Sequence, residues 1–95
     1  RGMGASGLGV EAAARTAAVL STGAEGAIPL KEGYAAAMAA QNTSYACVEK
    51  NIRSMVGKLQ AGACGEYQAL MGGLPAERPS NELFLRRLAR RILEW

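Results

Sequence analysis

The chain has 95 residues and a net charge of +3, enough for one domain, and it contains neither His nor Asp. Those are among the side chains most used for acid–base catalysis and metal ligation near neutral pH, so both roles are disfavoured at the outset. The apolar fraction of 49% overstates the core: nineteen of those residues are Ala, and only 26 are Val, Ile, Leu, Met, Phe, Tyr or Trp.

Residues 1–7 hold three glycines and are expected to form a flexible arm, while the start at Arg1 reads as a processed or truncated N-terminus. No run of large apolar side chains follows that charge, so no secretory signal is visible. Residues 8–20 are Ala-rich, with Val10, Ala14, Ala17 and Ala18 at helical spacing. They predict a first helix whose small side chains let it lie close against a neighbour. Gly23, Gly26 and Pro29 break that helix and make residues 21–29 a linker.

Tyr34, Met38, Gln41, Tyr45, Val48, Ile52, Met55 and Leu59 then follow at alternating steps of four and three, a heptad seam with one polar member. The seam predicts one long amphipathic helix over residues 32–60, opened by Pro29 and helped by Glu32 at its positive end. Its weak point is residues 41–44, where Asn42, Thr43 and Ser44 compete for the backbone. A break there is the rival reading; the uninterrupted step favours continuity. Residues 61–65 stop the helix, with Gly62 placed for a left-handed cap. Residues 66–71 predict about two more turns. Gly72, Gly73 and Pro75 end them and open a second linker, residues 72–80.

Ser80 is placed as the N-cap of a last helix over residues 81–95, with Glu82 in its first turn. Leu85, Leu88, Ile92 and Trp95 share one face, broadened by Phe84 and Ala89, and Arg86, Arg87, Arg90 and Arg91 lie to its sides and back. All the excess charge sits here: residues 1–77 balance to zero, and residues 78–95 carry five Arg against two Glu. No stretch alternates long enough to be a strand. The expected fold is all-α, a single small helical domain over residues 1–95 built on one long central helix.

Cys47 and Cys64 are the only cysteines, and their spacing matches neither a zinc site nor a C-x-x-C redox motif. Twin C-x9-C hairpins need four cysteines, so that pattern fails too. Buried free thiols are the favoured expectation, and a disulfide requires the chain to reverse at residues 62–65. Gly72-Gly73 lacks the remainder of a phosphate loop. The longest uncharged run, residues 33–48, is too short and too polar to span a bilayer.

With a thin core, at about 25 cal/mol of gain per Å² of buried apolar area, the chain is expected to need a partner. The expected function is therefore a non-enzymatic structural or accessory subunit without cofactor or metal, stabilising a larger multiprotein assembly through helix contacts. Its interface residues are expected to be Tyr45, Val48, Ile52, Met55, Leu59, Leu85, Leu88, Ile92 and Trp95, rimmed by Arg86, Arg87, Arg90 and Arg91. The Ala- and Gly-rich, Asp- and His-free composition suits an organellar assembly, plastid or mitochondrial. The alternative is a basic module that meets a membrane surface or, less readily, nucleic acid through the Arg-rich helix.

Overall fold

A computed structural model describes residues 7–24 and 26–93. Those residues form five helices and no strand: α1 (Gly7–Leu20), α2 (Leu30–Gln41), α3 (Tyr45–Gly62), α4 (Gly65–Met71) and α5 (Asn81–Leu93). The arm expected over residues 1–7 falls almost wholly outside the described residues, and so does Trp95. The all-α expectation stands; the long central helix does not.

The expected helix over residues 32–60 is two helices, because the backbone turns at residues 42–44. Asn42 takes the left-handed conformation, φ 51° and ψ 53°, and ends α2. Its N–H meets the Ala39 carbonyl at 3.4 Å, and the Thr43 N–H reaches back to the Met38 carbonyl at 3.1 Å. Asn tolerates this conformation better than most residues, because its short amide side chain can bond locally. Ser44 then opens α3: its hydroxyl accepts the Cys47 N–H at 3.2 Å. A cap of this kind satisfies one of the orphan donors of the first turn.

α1 occupies the middle of the molecule, packing on α2, α3 and α5, while α4 packs on α5. Its buried stripe is Gly9, Ala12, Ala13, Thr16, Ala17 and Leu20. The predicted stripe was rotated from this one: Ala14 and Ala18 are exposed, and Val10 is half-buried. Close approach rather than bulk sets the stripe. A Cβ at Gly9 would lie 3.0 Å from the Asn51 carbonyl of α3 and 3.0 Å from the Met55 Cβ. Hydroxyls close the helix end, with Ser21 donating to Ala18 and Thr22 to Val19, each at 2.7 Å.

The core is one cluster. Val48, Ile52, Met55, Val56 and Leu59 of α3 meet Tyr34 and Ala37 of α2, Tyr67, Leu70 and Met71 of α4, and Phe84, Leu85 and Ala89 of α5. Tyr67 and Phe84 stack with ring centroids 6.4 Å apart. The radius of gyration, 12.3 Å, matches the value of about 12 Å for a folded domain of this length.

α3 runs to Gly62, and Ala63, not Gly62, adopts the left-handed cap at φ 51°. Cys64 opens α4 and is half-buried, whereas Cys47 is exposed near the start of α3. The expectation of two buried thiols therefore fails at Cys47. Both thiols are free; an α3 of this length separates them by roughly 25 Å, far beyond disulfide reach.

Candidate functional site

α5 carries the chain's excess charge, and its anchoring decides where that charge points. Ser80 caps it, accepting the Leu83 N–H at 3.1 Å. The Asn81 amide donates to the Tyr34 hydroxyl at 3.1 Å and to the Glu49 carbonyl at 3.0 Å, tying the first turn of α5 to α2 and α3. Phe84, Leu85 and Ala89 are buried, and Leu88 is half-buried. The inward face is thus centred nearer Phe84 than predicted, and Ile92 is 36% exposed at its far end. With that face locked, the Arg side chains leave α5 from its sides and back.

They do not share one role. Arg86 turns inward: Nη1 donates to the Ile28 carbonyl at 2.9 Å, and Nη2 pairs with Glu82 at 3.2 Å. It fastens α5 to the loop between α1 and α2. Arg87, Arg90 and Arg91 instead line a concavity of about 240 Å³ between α4 and α5, walled by Ala69 and Leu70. Among the described residues no carboxylate lines it. Neither Arg87 nor Arg91 makes an ion pair or hydrogen bond among the described residues. A Cβ at Gly72 would only touch Arg87 Nη1, at 3.6 Å. The Gly72 φ of 78° ends α4. The positions of Arg90 and Arg91 in the last turn complement the negative end of the helix dipole. Arg87 lies a turn further back and gains little from that effect.

The seam residues proposed as interface are placed otherwise. Val48, Ile52, Met55 and Leu59 are buried within this chain. Tyr45 is 49% exposed and meets Tyr34 edge-on, with ring centroids 5.1 Å apart. Burial pushes the Tyr34 phenol above its ordinary pKa; the Asn81 hydrogen bond opposes this, and nearby Tyr45, Glu49 and Glu82 reinforce it. Burial likewise raises Tyr67, whose hydroxyl donates to Gln60 Oε1 at 2.7 Å. Both phenols are neutral near pH 7 and serve packing.

A larger open groove, about 740 Å³, runs between α1 and α3 past Leu8, Glu11, Asn51 and Lys58. It mixes one acid with one base, and Glu11 is engaged by Gln41 at 3.2 Å and Arg15 at 3.5 Å. Nothing in it converges on a ligand, so the smaller basic concavity is the stronger site. Ala69 and Leu70 escaped the sequence reading as walls of the concavity, because nothing in their spacing pointed to α5, and Asn81 escaped it as the tie to Tyr34 and Glu49.

Among the described residues, no three Cys or Glu side chains gather where a metal could sit, and no helix is long and apolar enough to cross a membrane. Comparison with known protein families, curated proteins and solved structures found no match to this chain.

Proposed function

We propose that this chain is a non-catalytic accessory subunit of a larger multiprotein assembly, docked through the outer face of α5 onto an acidic partner. One observation carries the reading. Arg87 and Arg91 face solvent without an acceptor among the described residues, while the apolar seam is consumed inside the chain. That leaves the basic side of α5 as the surface best suited to a partner. Arg suits such a role because its planar fork pairs bidentately with carboxylates. The absence of His and Asp argues for a binding rather than a catalytic part. Composition alone is the ground for proposing an organellar setting.

The second reading is a free-standing basic module on a lipid surface. α5 is poorly suited to lie in a membrane, because Phe84, Leu85 and Ala89, its apolar face, are buried in the core.

The native protein should elute with a large assembly rather than alone, and the Arg87→Gln/Arg91→Gln variant should elute alone. Trp95→Ala tests whether the end of the chain adds an anchor. Elution of the unaltered protein as a lone monomer at low salt would remove the subunit reading.

A further inference from the structure

We draw no further inference here: the strongest candidate, the basic concavity between α4 and α5, belongs to the docking face already described, and nothing in the structure shows what covers it.

Discussion

The Thr16 hydroxyl of α1 donates to the Gly33 carbonyl of α2 at 3.3 Å, and a Cβ on Gly33 would stand 2.6 Å from the Thr16 methyl and 3.0 Å from its carbonyl oxygen. The two helices touch backbone to backbone here. Ala12, Ala13, Ala17 and Ala37 are all buried, with exposures of 0–2%. A chain poor in large side chains thus gains contact by proximity, since dispersion attraction falls away within an ångström of the optimum distance.

Gly33→Ala should therefore destabilise the fold. Overpacking at a contact with backbone costs about 1–3 kcal/mol, which outweighs the gain of about 1 kcal/mol in helix propensity. Gly57→Ala is the control. It lies inside α3, and its added methyl would meet only the flexible Arg78 side chain at 3.5 Å. It should stabilise by about 1 kcal/mol. Urea titration followed by circular dichroism separates the two, and equal shifts in the same direction would contradict the close crossing.

Asn81→Ala should cost about 2 kcal/mol, because it leaves the Glu49 carbonyl and the Tyr34 hydroxyl without their donor in a part-buried site. Asn81 Oδ1 is itself buried without a partner, so the side chain is held for its amide N–H groups alone. A loss well under 0.5 kcal/mol, about the scale of a surface substitution, would show that water serves these groups equally well.

Alkaline pH should loosen the protein. Tyr34 and Tyr67 have raised pKa values in the fold, against an ordinary value of 10.0. Below pH 10.0 both states hold the proton, and the contribution to stability is full. Above it the unfolded phenols ionise first, so stability falls as pH climbs toward the raised native values. The thermal midpoint should drop more steeply above pH 10.0 in the unaltered protein than in Tyr34→Phe/Tyr67→Phe. The slopes matter here, since each Phe also removes a hydrogen bond.

Ala63→Gly should stabilise. Ala63 sits at φ 51°, a conformation that costs a residue bearing a Cβ about 1–2 kcal/mol. Gly avoids that cost and gives back only about 0.4–1 kcal/mol through the unfolded chain. A midpoint lower than that of the unaltered protein would count against this cap.

Much of the helix content was legible because caps and breakers act locally. Pro29, Ser80 and Gly72 sit at or beside helix ends, where their backbone chemistry belongs. The corner at Asn42 was misread for a physical reason. Tyr34 of α2 and Val48 and Ile52 of α3 face the same core, so the seam kept its step through the turn. Periodicity reports which side is buried, and it cannot tell one helix from two that share a core. The contrary signal was present in Asn42, Thr43 and Ser44, residue types whose side chains compete for the backbone, as the Ser44 hydroxyl does in accepting the Cys47 N–H. Of the site, the outward Arg residues were legible from helical spacing. Arg86 was not separable from Arg87 without knowing that Ile28 lies within its reach. The concavity was also hidden, because its Ala69 wall comes from another helix.

The corner at residues 42–44 also has a consequence in time. It lets α1 and α2 stand as a hairpin of near neighbours, whereas Asn81, which clasps Tyr34, is made 40 residues after α2 ends at Gln41. At about 5–20 residues per second that gap lasts roughly 2–8 s, while helices form within about a microsecond. The Ala-lined hairpin can close and reopen many times on the ribosome before its clasp exists. Through that interval the Tyr34 ring, which ends almost fully buried, is open to whatever waits at the exit.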